Sequence, residues 1–268
     1  MSRRENLIIW INSTTLFLVA YVLVYSVIGL ATIISASAFD ISAELFYNQI
    51  YFHIRSRDWT SDAVKVVFST GPILALLVGL VLWILYTKVE EEAGILKVLV
   101  LWMVMHCIIY FFGDMMMGAL FSQGFGYVIM YLYFMDTGKM IITLFALMAL
   151  FTIGLIMARQ TLYTANTYVN TLHARQTKRF VLFQFLLPFL IGNIIIILVK
   201  FPGITLFEIF LNGSMVILMI PIYIRAGMMQ DLFFEEEAKS ATISWISILI
   251  AIILLIIFRI IFGFGVRF

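Results

Sequence analysis

The sequence predicts an all-α membrane protein, a polytopic transmembrane helix bundle of about seven spans plus one re-entrant or interfacial segment, with eight spans as the alternative. Three observations carry that prediction. Hydrophobic residues make up 63% of the 268 and charged residues only 12%, where soluble domains average about 45–50% and about 25%. Mean hydropathy is +1.09. Apolar stretches recur along the whole chain, each close to the about 20 residues needed to cross a hydrocarbon core. Such a composition excludes a soluble enzyme, a nucleic-acid-binding module and a disordered chain. A net charge of +2 is too small to call for a polyanionic partner, so the expected surroundings are the lipid bilayer and no nucleic acid. The chain reads as one integral membrane domain, residues 1–268.

Leu7–Ile34 is the first span, with a polar notch at Asn12, Ser13, Thr14 and Thr15. Arg3 and Arg4 before it and Ala36-Ser37-Ala38 after it resemble a signal peptide, but the apolar stretch far exceeds the about 7–15 residues of a signal h-region. It is therefore read as an uncleaved helix. Residues 35–69 form the largest loop, in which Ser42–Ile54 is expected to be an amphipathic helix lying on the membrane, followed by Trp59 at the interface.

Thr70–Thr87 is the second span, opened by Gly71-Pro72 as a helix start. Ile95–Phe112 is the third and contains His106 and the only cysteine, Cys107. Met140–Ala158, Val181–Val199, Thr205–Ile224 and Ser244–Phe264 complete seven. The quartets Glu90–Ala93 and Glu235–Ala238 each precede a span, as acids complementing a helix N-terminus would.

Residues 114–138 are apolar enough to cross but rich in glycine, with Gly118, Gly124, Gly126 and Gly138 around Ser122-Gln123. Each interior glycine costs a helix roughly 1 kcal/mol against alanine. A broken or re-entrant segment is therefore expected here, of the kind tolerated only where buried or lining water. Charge agrees. Arg159, Arg175, Lys178 and Arg179 stand in a stretch without acids, a cytoplasmic mark. It falls on the same side as Arg3 and Arg4 only if 114–136 does not cross. The expected setting is a bacterial cytoplasmic membrane with the N-terminus inside and the C-terminus outside.

Ionisable groups at membrane depth cost about 2.5–3.5 kcal/mol each on insertion scales and are candidates for function. His106 lies deepest, with Tyr110 one turn on as its expected hydrogen-bond partner. Asp114 is two turns away, roughly 12 Å along a straight helix, so the two need a fold-back to share a proton. Asp136 and Lys139 stand at i,i+3 and are expected to pair. Glu208 and Asn212 share a helix face at i,i+4, and Asn193 on the preceding span is their expected neighbour. The candidate polar site is therefore His106, Asp114, Asp136, Lys139, Asn193, Glu208 and Asn212. Lys200 and Arg225 stand at span ends and are expected to snorkel to the interface, and Arg259 can reach one.

No H-E-x-x-H, G-x-x-x-x-G-K-[ST] or G-x-S-x-G occurs, so the corresponding protease, nucleotide and hydrolase chemistries lack their signatures. With three histidines and one cysteine, no cofactor and no dedicated metal site is expected. The first functional reading is a non-catalytic subunit that scaffolds or binds a protein partner, or another copy, in a membrane complex. A transporter or channel using the polar site is the alternative, and an intramembrane enzyme the third.

Overall fold

The computed structural model describes residues 2–89, 94–234 and 241–267. It is an all-α bundle with six helices long and apolar enough to cross a membrane, and one shorter apolar helix. Helix α1 runs Arg3–Ser37, opened by a capping box in which the Ser2 hydroxyl accepts from the Glu5 N–H and the Glu5 carboxylate accepts from the Ser2 N–H. Two strands follow, β1 (Ala43–Leu45) and β2 (Ile50–Phe52). Then come α2 (Ser61–Val89) and α3 (Ile95–Phe121), the short α4 (Phe125–Tyr131), and α5 (Asp136–Tyr163). Strand β3 (Thr171–Leu172) leads to α6 (Ala174–Lys200) and α7 (Leu206–Ala226). Strand β4 (Leu232–Phe233), α8 (Trp245–Ile261) and β5 (Val266–Arg267) complete the chain.

Helix α1 is the most deeply buried candidate span and the post around which α2, α3, α6 and α8 stand. Its aromatic residues Phe17, Tyr21 and Tyr25 recur every four positions and so share one face; that face meets His106 on α3 and Phe258 on α8. Helices α5 and α7 pack together and against α3 on the far side. Outward-facing residues such as Met140, Leu144, Phe145 and Met148 on α5 are exposed, the surface lipid would cover. Helix α8 buries Ser247, Ala251 and Phe258 along one stripe and has 17 residues, the lower limit for a span.

Short strands fix which ends lie together. Strand β1, after the first helix, pairs antiparallel with β2 and with β5, after the last. Strands β3 and β4 pair at the other end. An odd number of crossings separates β1 from the N-terminus, and an even number separates β1 from β5, as seven spans require.

Three expectations are corrected. Ser42–Ile54 is a β-hairpin, turned by the Phe46 N–H to Gln49 carbonyl bond of 2.8 Å, not an amphipathic helix. Leu45 is fully buried against Gly29, so this segment is sealed into the bundle end rather than laid on its surface. The second span does not start at Thr70: its helix begins at Ser61, with Pro72 inside it. The third span does not stop at Phe112 but continues to Phe121 through a π-helical turn at Ile109–Gly113. The chain then breaks at Ser122–Gly124, where Ser122 and Gly124 have positive φ, and α4 folds back. A Cβ on Gly126 would fall 1.9 Å from the Gly118 carbonyl oxygen, so two glycines allow this reversal. Residues 114–138 thus form neither an eighth span nor a continuous helix. The quartets Glu90–Ala93 and Glu235–Ala238 lie outside the described residues.

Candidate functional site

A cavity of about 750 Å³ enters the bundle from the end that carries β1, β2 and β5. Residues of α1, α2, α3, α4 and α7 and of the hairpin wall it. Asp114 and, far from it in the chain, Glu208 and Asn212 all line it.

The π-helical turn explains the placement of Asp114. Eight residues of ideal helix would rotate Asp114 about 80° from the face of His106. A π-turn takes up one extra residue, which brings the offset to about 20° and turns the carboxylate toward the bundle interior. There Asp114 Oδ1 accepts a 3.3 Å bond from the Phe125 N–H at the start of α4. A Cβ on Gly124 would meet that oxygen at 2.4 Å, so glycine lets the broken segment close over the carboxylate. Among the described residues, Asp114 makes no ion pair.

Glu208 reaches the cavity differently. Thr205 caps α7, accepting from the Glu208 N–H at 3.2 Å, while Glu208 Oε2 accepts from the Thr205 N–H at 3.4 Å. Its other oxygen, Oε1, accepts from Lys200 Nζ at 2.6 Å. Lys200 does not snorkel. Its side chain is 0% exposed, and its ammonium stands 4.1 Å from the centroid of the Tyr25 ring and 5.7 Å from that of Tyr21. The Tyr25 hydroxyl in turn donates to the Phe46 carbonyl in the hairpin at 2.7 Å. Asn212, one turn after Glu208, faces the Tyr21 hydroxyl together with Tyr110.

Below the cavity, toward the N-terminal end of α1, the bundle is shut by rings. Phe17 packs on Trp102 and His106 at 4.9 and 4.7 Å between centroids, and Trp102 on Phe185 at 5.1 Å. His106 belongs to this plug, not to the cavity wall. Its ring packs against those of Phe17 and Tyr21, and among the described residues its Nε2 has no hydrogen-bond partner, Tyr110 included.

The remaining sequence candidates lie elsewhere. Asp136 and Lys139 open α5 without forming the expected ion pair among the described residues, and neither lines the cavity. Asn193 donates to the Phe189 carbonyl of its own helix at 2.8 Å. Arg259 stacks on Tyr47, 3.8 Å from its centroid, and donates to the Phe201 carbonyl at 3.2 Å, tying the end of α8 to two loops. Lys200 and Tyr25 are the residues that sequence reasoning missed. The signal was present: a lysine ending one span and a glutamate opening the next, across a Pro-Gly turn, are brought together by the turn itself.

Among the described residues no group of three or more His, Cys, Asp or Glu could hold a metal ion. The chain matches no protein-family model, no curated protein and no solved structure.

Proposed function

We propose that the protein is a membrane transporter for a small polar solute and that the cavity is its binding site, open to the outside. The observation that carries this reading is an opening of about 750 Å³ that reaches Asp114 and Glu208, the latter paired with the buried Lys200, on the side of the bundle away from the aromatic plug. Irregular backbone and paired charges at depth are tolerated where they line a cavity. A subunit that only holds partners has no use for such an opening. Enzymatic chemistry would need His106 and an acid at a common point, whereas His106 sits in the plug and Asp114 in the wall. The orientation follows from Arg159, Arg175, Lys178 and Arg179 near the plugged end, which favour the cytoplasm.

The test is uptake by purified protein in proteoliposomes, against a panel of radiolabelled amino acids, amines, sugars and carboxylates. One class should accumulate above protein-free vesicles, and the Lys200→Met/Glu208→Leu double variant should lose that accumulation. Uptake of nothing, together with isolation from native membranes in fixed stoichiometry with another protein, would return the chain to the role of a subunit.

A further inference from the structure

The cavity's wall also specifies what kind of solute it takes. Among the described residues, its ionisable lining from Asp, Glu, Lys, Arg and His consists of two carboxylates, Asp114 and Glu208, and no basic residue. Glu208 is already neutralised from behind by Lys200, whose ammonium is itself saturated by that carboxylate and the Tyr25 and Tyr21 rings. Asp114 receives a single backbone hydrogen bond of 3.3 Å. A carboxylate buried to 8% exposure with one long hydrogen bond lacks the counter-charge that such a group requires.

Aromatic rings make up about a third of the rest of the wall, among aliphatic and neutral polar residues. Nine of its residues are Phe, Tyr or Trp. Tyr110 is one turn from Asp114 on the same helix, and Tyr127 packs tilted against Phe68 at 4.8 Å between centroids. Ring faces attract cations, most strongly where water is excluded. Among the described residues that line the cavity, an anion would find no donor of positive charge.

We infer that the solute is a monovalent organic cation, an amine or quaternary ammonium with a small apolar body, its charge on Asp114 and its body against the rings of Tyr110, Tyr127 and Phe207. This rests on the transport reading for its biology, but its test reads binding alone.

Purified protein in detergent is titrated with choline and phenethylamine, with 3,3-dimethyl-1-butanol (choline's neutral counterpart) and with phenylacetate, following thermal unfolding and the fluorescence of Trp59, which lines the cavity. The two cations should raise Tm and change the fluorescence saturably, and the neutral and anionic compounds should not. Asp114→Asn keeps an oxygen that can accept from the Phe125 N–H. It should fold with a Tm at least as high as the unsubstituted protein in the absence of probe, yet bind both cations about tenfold or more weakly, as loss of a charged hydrogen-bond partner implies. Should Asp114→Asn destabilise the protein, Phe207→Leu supplies the second arm, weakening cations several-fold through the ring alone. Equal binding of choline and its neutral counterpart would overturn the proposal. So would binding of phenylacetate alone, or of no probe at all. The transport reading is decided separately by the uptake panel, which includes classes other than amines.

Discussion

Two groups of buried polar side chains, one around Asn12 and one around Glu208, are treated in opposite ways. Around Asn12, toward the plugged end, the side chains of Asn12, Ser13 and Trp102 are neutral and their partners are mostly backbone. Asn12 donates to the Thr242 carbonyl and accepts from the Ser244 N–H, both at 2.9 Å. The Ser13 hydroxyl donates to the Gln184 carbonyl and accepts from Trp102 Nε1 at 2.9 Å. Around Glu208 the groups are charged, and one carboxylate faces an open volume. Neutral side chains bonded across to the backbone of neighbouring helices are how helices are held together where lipid provides no hydrophobic drive between them. A charged cluster at the edge of a void does little for cohesion, because desolvation offsets most of its Coulomb attraction. The first reads as a fastening and the second as a site.

The sharpest way to break that comparison is to remove one charge. Glu208→Ala leaves the Lys200 ammonium buried and unpaired, which costs about 3–5 kcal/mol. Chemical unfolding in mixed micelles should show that loss. Replacing both partners, with Lys200→Met and Glu208→Leu, should restore most of the stability while uptake stays absent. If the double variant remained as unstable as the single, the pair would be a structural fastening like the cluster around Asn12. Next in size is Gly126→Ala. Its Cβ would stand 1.9 Å from the Gly118 carbonyl, and overpacking of this kind costs about 1–3 kcal/mol. The expected result is a displaced α4, seen as increased labelling of a cysteine at Gln123 by a membrane-impermeant thiol reagent in a Cys107→Ala background.

Much of this was legible in the chain, and what was not has physical reasons. Span existence depends on local hydropathy, which any window reports, so all seven apolar segments became helices. Helix length does not: the first turns of α2, with Asp62 and Lys65, are polar, and hydropathy registers the membrane rather than the helix. The hairpin at 43–52 was illegible because its central strand, β1, needs β5 from the far end of the chain, a pairing no local periodicity carries. Asp114, Glu208 and Asn212 were visible as polar residues at depth. Their convergence depends on the π-turn and the Ser122–Gly124 reversal, and neither has a side-chain signature beyond its glycines. Lys200 was misread because a lysine at a span end ordinarily reaches water, whereas here the turn beyond it delivers Glu208 and the α1 tyrosines first.

Smaller effects should mark the neutral cluster. Asn12→Ala strands the Thr242 carbonyl and the Ser244 N–H, at a cost of about 1–3 kcal/mol. It should loosen the start of α8, measured by hydrogen exchange at Ser244 and Ser247, without changing cation affinity. A fall in affinity would show the two clusters to be coupled through α1.

The smallest effect lies in the loops beyond the plug, where a charged contact does serve as a fastening. Asp231 Oδ1 accepts from the Ala174 N–H at 2.6 Å, and Oδ2 stands 3.1 Å from His173 Nδ1. The Ala174 hydrogen bond, and then the His173 ring, hold this carboxyl below its ordinary value of 3.8. A depressed value means that the ionised form is favoured by folding, so the contribution is present above the ordinary carboxylate range. It fades as pH falls through the folded value. Because the group is exposed, salt and water screen it. Protection of the Ala174 amide against exchange should therefore be constant from neutral pH down to the carboxylate range and decline below it. In Asp231→Asn it should be lower throughout and lack that acid step. An acid step that survived the substitution would assign the fastening to another group, and the contrast between charge as fastening outside the bundle and charge as site within it would lose its outer member.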